Sequence, residues 1–240
     1  MYSKILADQG LVNFIAGSDY NLRAMTAGPQ VKDQVDSILK TMGENPVQIY
    51  SCQQVHGDNI EYCSGENGRD FYYGRQFLQT DGLITDKKDI GLLIKFADCS
   101  PIILYDPKTK VQAALHSGWR GTQKKISQKA VEMMVADFAC KKEDILAYIG
   151  PSIDMANYEV GPEVYEAFAD FPSRDKFFKG QGEKYLMSMV EANYQLLLGA
   201  GIKAENIDKS SQSTYTNKGL NSARRDGQDY KLNAIITIMK

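Results

Sequence analysis

Histidine and tryptophan are the scarce residues of this 240-residue chain, which has two of the first (His56 and His116) and one of the second (Trp119). That inventory excludes metal clusters built on many imidazoles. Cysteine is nearly as rare: Cys52, Cys63, Cys99 and Cys140 include no C-x-x-C pair, so neither a zinc ribbon nor a thioredoxin-like site is indicated. A chain of this length buries a core without disulfides, and its cysteines are expected as thiols or metal ligands. No apolar run approaches the roughly 20 residues that a membrane span needs. The tightest basic groups, such as Lys124–Lys125 and Arg224–Arg225, are pairs rather than patches and the net charge is −2, so no footprint for nucleic acid or an anionic membrane is present. The opening stretch MYSKILADQGLVNF lacks an apolar core followed by a small-residue cleavage site, and a cytoplasmic protein is expected. Without repeats, low-complexity tracts or a long Pro/Gly/Ser linker, residues 1–240 are expected to form one domain.

What is present alternates between strand and helix signals. The spacing of Val31, Val35, Ile38, Leu39 and Met42 predicts a helix over Val31–Met42. VQIYSCQQV (47–55) alternates like a strand and runs out at His56-Gly57, and residues 58–80 read as loop with a short strand. DGLIT (81–85), IGLLIKFA (90–97) and PIILYD (101–106) have the length and composition of buried strands. A turn over Asp106–Thr109 joins the last of these to KVQAALH (110–116) as a hairpin. A helical period then runs to Phe138 from Thr122, the expected N-cap. DILAYIG (144–150) reads as a strand, Pro162–Phe171 and Tyr185–Leu198 as helices, and NAIITIM (233–239) as a closing strand. Mixed strands and helices predict an α/β (α+β) domain with a mixed sheet.

This pattern sets three unusual residues in equivalent places. His56 follows one strand, Cys99 follows another, and His116 ends a third. Side chains converge off strand ends in sheet-based folds. Two imidazoles and a thiolate form a His2Cys set suited to zinc with the fourth position open. Against this stands the plainer reading of three unrelated residues: Cys99 a buried inert thiol, His56 a turn histidine bonded to backbone. Cys52, Cys63 and Cys140 read as structural, and Trp119 as a wall or core aromatic.

After His116 the chain reads strand, glycine-rich turn, helix. In Ser117-Gly118-Trp119-Arg120-Gly121, backbone N–H groups at Gly118 and Gly121 would face an anion at a helix start, with Arg120 adding a planar charged fork. The same glycines also fit a turn that binds nothing. The late stretch NSARRDGQDYK brings Arg224 and Arg225 either over the site or to the tip of a solvated hairpin with Asp-Gly as its turn.

The motifs QVHG (54–57), TDGLIT (80–85), FADCSPIILYDP (96–107), ALHSGWRGT (114–122), IGPSIDMANYEVGPEV (149–164) and SARRDG (222–227) occur in the order of the YfiH/laccase-domain family. The chain resembles that family over nearly its whole length. Its members have been called polyphenol oxidases, and its relatives include purine nucleoside phosphorylases with adenosine deaminase activity. The resemblance implies a zinc site from His56, Cys99 and His116 and a domain of mixed sheets flanked by helices, similar to cysteine-hydrolase-like folds. It implies phosphorolysis of adenosine, inosine and methylthioadenosine, deamination of adenosine, and a link to peptidoglycan editing. Many members carry cysteine where this chain has Asn157, and a C-T-x-C stretch where it has Ser213-Thr214-Tyr215-Thr216.

Three chemistries compete for these residues. A multicopper oxidase fails on imidazole count; His2Cys resembles at most a single electron-transfer copper. Zinc hydrolytic or transfer chemistry fits, with Arg120 and Arg224 or Arg225 for phosphate and Asp81, Asp98 or Glu159 as candidate acid/base for the deamination. The third is a metal-free hydrolase or amidase with Cys99 as nucleophile and His116 as base. The expected catalytic set is Cys99, His116, Asp98 and Arg120; the expected partners are a purine nucleoside and phosphate.

Overall fold

The runs IGLLIKF, SPIILYD, VQAALHS and NAIITIM show no polar alternation because both faces of each strand are covered. In the computed structural model, which describes Met1 to Lys240, the chain forms β1 (Leu11–Ala16), β2 (Gln48–Cys52), β3 (Ile60–Tyr62), β4 (Arg69–Phe71), β5 (Gly74–Phe77), β6 (Gly82–Thr85), β7 (Ile90–Phe96) and β8 (Ser100–Asp106). It continues with β9 (Val111–Ser117), β10 (Leu146–Ile149), β11 (Glu159–Val160), β12 (Phe178–Gln181), β13 (Lys184–Met187), β14 (Ile207–Lys209) and β15 (Asn233–Met239). One six-stranded sheet has the order β1-β15-β7-β2-β5-β4 and a second the order β14-β10-β8-β9-β6-β3; β11-β13-β12 form a small third sheet. Both large sheets mix parallel and antiparallel pairs. No helix is long and apolar enough to cross a membrane.

The period of two along each strand sorts its apolar side chains between layers. Leu92 and Ile94 of β7 meet Ile103 and Tyr105 of β8 in the core between the two large sheets. Their neighbour Leu93 faces outward onto Val35 and Ile38 of the helix Val31–Met42. Ile102 and Leu104 of β8 face the other way, onto the helices Ile126–Phe138 and Met189–Gly199. The layers are therefore helix, sheet, sheet, helix, the expected mixed α/β class with one sheet more than a single-sheet reading supplies. The Val31–Met42 helix has its expected bounds and stops at Gly43, whose φ of 69° is the left-handed conformation glycine adopts without strain. The β8–β9 hairpin is also as expected; Asp106 Oδ1 closes its turn by accepting from the N–H groups of Lys108 and Thr109.

Local chemistry moved several boundaries. The expected helix from Thr122 is two helices, Trp119–Gln123 and Ile126–Phe138, broken where Lys125 takes a φ of 62°. Thr122 is no N-cap: it lies buried inside the first helix, its hydroxyl donating back to the Gly118 carbonyl. The helix expected at Tyr185–Leu198 begins only at Met189, because Tyr185–Met187 pair as a strand. Ser188 caps this helix by accepting the Glu191 N–H at 3.2 Å, a Ser-x-x-Glu signal visible in the sequence. The Pro162 helix ends at Glu166, and residues 58–80 contain β3, β4 and β5 rather than one strand. SARRDG is a short helix, Ala223–Asp226, capped by Ser222, and not a hairpin tip.

Replacing Ser188 with Ala removes that cap while leaving the apolar face of the helix intact. Thermal unfolding is expected to show a loss of about 1 kcal/mol, or roughly 2–4 °C in Tm for a chain of this size.

Candidate metal centre

Two of the unusual residues lie where the chain crosses between the two large sheets, and the third lies near the end of a strand. His56 lies on the passage from β2 to β3, and Cys99 on the tight passage from β7 to β8. His116 is the second-last residue of β9 and pairs with Pro101 of β8. The donor atoms of His56, Cys99 and His116 all lie within 4.8 Å of one another, and the two imidazole rings meet edge to face with centroids 4.9 Å apart.

Asp81 organises this convergence. It precedes β6, and its carbonyl accepts the His116 N–H at 2.7 Å, extending the β6–β9 ladder by one bond. Its fully buried carboxylate then does two things. Oδ1 lies 2.8 Å from His116 Nδ1, which leaves Nε2 to face Cys99. The same carboxylate accepts three successive backbone N–H groups, from Val55 (3.1 Å), His56 (3.0 Å) and Gly57 (2.7 Å). These bonds hold His56 at a φ of 59°, a conformation that a β-carbon disfavours and that persists only where surroundings fix it. Burial works to raise the Asp81 carboxyl, and the hydrogen bond and charge of His116 with the backbone donors outweigh it, so its pKa is lowered. Burial likewise opposes the Cys99 thiolate, yet His116 and His56 bring the thiol down to about 6. Desolvation disfavours the His116 imidazolium, and Cys99 and Asp81 overcome it, raising the ring to about 9. Cys99 and His116 thus stabilise each other as a thiolate–imidazolium pair.

Two imidazoles and a thiolate within reach of each other fit a divalent metal ion, and the Asp81–His116 bond is the outer-shell contact that orients such a ligand. All three residues also lie on the wall of a cavity of about 890 Å³, so a fourth coordination position would face open space. Cys52 and Cys63 lie in the core between the sheets, where burial pushes their thiols up, and Cys140 is pushed up to about 11.

The other expected site residues divide. Asp98, at a φ of 84°, lines the cavity; it accepts from the Thr214 hydroxyl (2.6 Å) and from the Arg224 N–H (2.7 Å). Arg224 lines it as well, its guanidinium donating to the Glu159 carbonyl and lying 5.4 Å from the Tyr158 ring. Arg225 does not: its fork is spent on Asp226 and on the carbonyls of Thr214, Tyr215 and Leu220, holding the loop together. Gly118, Gly121 and Arg120 also lie outside the lining. Gly118 is the floor under the donors, since a β-carbon there would sit 2.9 Å from Cys99 Sγ and 3.0 Å from His56 Cδ2. A β-carbon on Gly121 would meet the Gly57 carbonyl at 2.9 Å, and the Arg120 guanidinium lies 4.2 Å over the Trp119 ring. Both glycines of this turn stand where a β-carbon would crowd a neighbour. Glu159 is tied to Lys184 at 2.6 Å at the surface. Where thiols were expected from the resemblance, Asn157 and Ser213 both donate to Asp154 in a hydrogen-bonded clasp.

Sequence reading missed Arg23, Met25, Arg69, Phe71, Lys95 and Tyr230, which also line the cavity. Of these only Lys95 carried a signal, as the one charged residue in the apolar run of β7.

Because Gly118 has no room for a side chain, Gly118→Ala is expected to push Cys99 Sγ aside and weaken metal binding about tenfold or more. A competition titration with a chromogenic chelator measures it, and unchanged affinity would remove Gly118 from the site.

Comparisons with known proteins bear on the sequence and the fold as a whole. Residues 18–238 match the family model described as multi-copper polyphenol oxidoreductase laccase. A purine nucleoside phosphorylase of Bacteroides thetaiotaomicron is 31% identical over 229 residues, 88% of this chain and 83% of that protein. The crystal structure of Bacillus licheniformis hypothetical protein YfiH superposes with a TM-score of 0.82 at 29% identity, covering 88% of this chain and 81% of the other. That of YlmD from Geobacillus stearothermophilus gives 0.85 at 24% identity, over 99% and 94%, a likeness of fold. On its sequence, its fold and its relatives, this chain belongs to the multi-copper polyphenol oxidoreductase laccase family.

Proposed function

We propose that this protein is a zinc-dependent purine nucleoside phosphorylase, acting on adenosine, inosine and methylthioadenosine, that also deaminates adenosine. The observation that carries the reading is an open His56–Cys99–His116 donor set on the wall of a cavity large enough for a nucleoside, about 890 Å³. The relative named as a purine nucleoside phosphorylase supports it. The chain's two histidines argue against the oxidase in the family's description, since a single His2Cys copper does not accumulate the four electrons that oxygen reduction takes. Copper is accordingly the less favoured ion.

Zinc held by His56, Cys99 and His116 would supply Lewis-acid chemistry at its open position. Asp81 fixes the tautomer of His116 and the turn of His56, so the donors are placed before substrate enters. In phosphorolysis a phosphate oxygen bonds to ribose C1′ as the C1′–N9 bond breaks. The electron pair leaves on the purine, which takes up a proton, and ribose 1-phosphate and free base result. Phe71 and Tyr158 offer aromatic walls for the base, and Arg224 a cation at the rim. In deamination water adds at C6 and ammonia leaves. Asp98, the one carboxylate in the lining, is the group placed to move a proton, since two of a carboxylate's roughly four lone-pair sites are taken.

One observation favours a second reading. Asp81, His116 and Cys99 follow the order of an orienter, base and nucleophile, as in a metal-free hydrolase or a peptidoglycan-related amidase. His56 weighs against it: a nucleophile has no use for a second imidazole held at an unfavourable φ.

Metal analysis coupled to turnover separates these. One zinc per chain, free base released only with phosphate, and inosine formed from adenosine without it are expected, all lost in His116→Ala. No turnover of either kind by fully zinc-loaded protein would sink the assignment. Asp81→Asn is expected to lower zinc affinity about 10–100-fold while the protein stays folded; equal affinity by competition titration would deny Asp81 its orienting role.

A further inference from the structure

Strand β7 is buried along its whole length except at Lys95, which is half-buried near its end. The backbone of Lys95 is held on both sides. Ala234 of β15 pairs with it on one side; on the other, β2 has already ended and the Gln54 side chain replaces it. Gln54 Oε1 accepts the Lys95 N–H at 3.0 Å and Nε2 donates to the Lys95 carbonyl at 2.7 Å, a side-chain amide standing in for a strand. The ammonium makes one hydrogen bond, to the Cys52 carbonyl at 3.1 Å. An ammonium has three N–H donors, so two are left for the cavity that Lys95 lines. Burial lowers its pKa, and no carboxylate is near enough to raise it.

The surrounding wall repeats the imbalance. Arg23, Arg69, Lys95 and Arg224 line the cavity against the single carboxylate of Asp98, in a chain of net charge −2. The three arginines donate to neutral acceptors: Arg23 to the carbonyls of Gln228 and Tyr230, Arg69 to the Gln76 side chain, and Arg224 to the Glu159 carbonyl. Arg69 and Arg224 are exposed, and Arg23 is anchored over the Tyr230 ring. Lys95 is therefore the cation that is fixed at its backbone, half-buried and left with free donors. A buried cation without a counter-charge is costly unless a ligand supplies one. A nucleoside is neutral and does not.

We propose that Lys95 binds the inorganic phosphate co-substrate, holding it in the cavity beside the His56–Cys99–His116 centre; this rests on the phosphorylase reading. Phosphate is a tetrahedral oxyanion able to accept both remaining N–H groups. The exposed arginines then serve entry and the outer face of the anion.

The test is calorimetric titration of inorganic phosphate into metal-loaded wild type, Lys95→Met and Lys95→Arg, with the phosphate KM of inosine cleavage measured on the same samples. Lys95→Met is expected to weaken phosphate about tenfold or more in both measurements while the inosine KM moves less than about twofold, and Lys95→Arg to recover part of the loss. Unfolding curves and metal content show that each variant is folded; if Lys95→Met is not, Lys95→Gln carries the same comparison. Phosphate bound equally by wild type and Lys95→Met, with inosine still cleaved, overturns the assignment and leaves the phosphorylase reading standing. Phosphate binding that depends on Lys95 without cleavage of any nucleoside supports the anion site and overturns that reading instead. A wild type that ignores inorganic phosphate but binds a nucleoside 5′-monophosphate through Lys95 also overturns the proposal, because the phosphate then arrives on the substrate.

Discussion

The buried carboxylate of Asp81 is the constraint on which the site depends. It orients His116 through Nδ1 and gathers the N–H groups of Val55, His56 and Gly57 onto its two oxygens. One charge thus places ligands from two segments that are 60 residues apart in sequence, His56 and His116. A fully buried carboxylate would be costly alone; four donors make it an organising centre. The unfavourable φ of His56 is the local cost of that convergence.

The layered architecture explains why the convergence occurs at this end. Two large sheets packed face to face need the chain to pass between them, and the β2–β3 and β7–β8 passages do so beside the last residues of β9. Backbone leaving a ladder gives up regular partners, and side chains at those points are free to meet. Gly118 completes the arrangement by being absent as a side chain: Cys99 and His56 occupy the space a β-carbon would take. The Asp98 carboxylate ties the Thr214 loop and the Ala223–Asp226 helix to the β7–β8 passage, closing the cavity from the other side.

A negative chain with a cationic cavity is an electrostatic division of labour. Several surface lysines are matched by nearby carboxylates, as in Lys4–Asp8, Lys32–Asp36 and Lys108–Asp144. Lys95, Arg23, Arg69 and Arg224 have neutral partners only. Charge left unmatched inside a cavity is available to a ligand; unmatched charge at the surface belongs to water.

The one-dimensional pattern determined the strands that are buried on both faces, the Val31–Met42 helix, the β8–β9 hairpin and the identity of the three donors. Each follows from local periodicity, turn chemistry, or the rarity of a residue type at a strand end. Only the tertiary structure decided that Gly118 and Gly121 pack against neighbours, that Arg225 holds a loop, and that Asp81 orients histidines. It alone brought Lys95, Phe71 and Arg69 to the cavity that Cys99 lines. These roles depend on which distant segment lies opposite, and no local period records that. Residue type sets what a side chain can do; the packing of two sheets set which of them share a cavity.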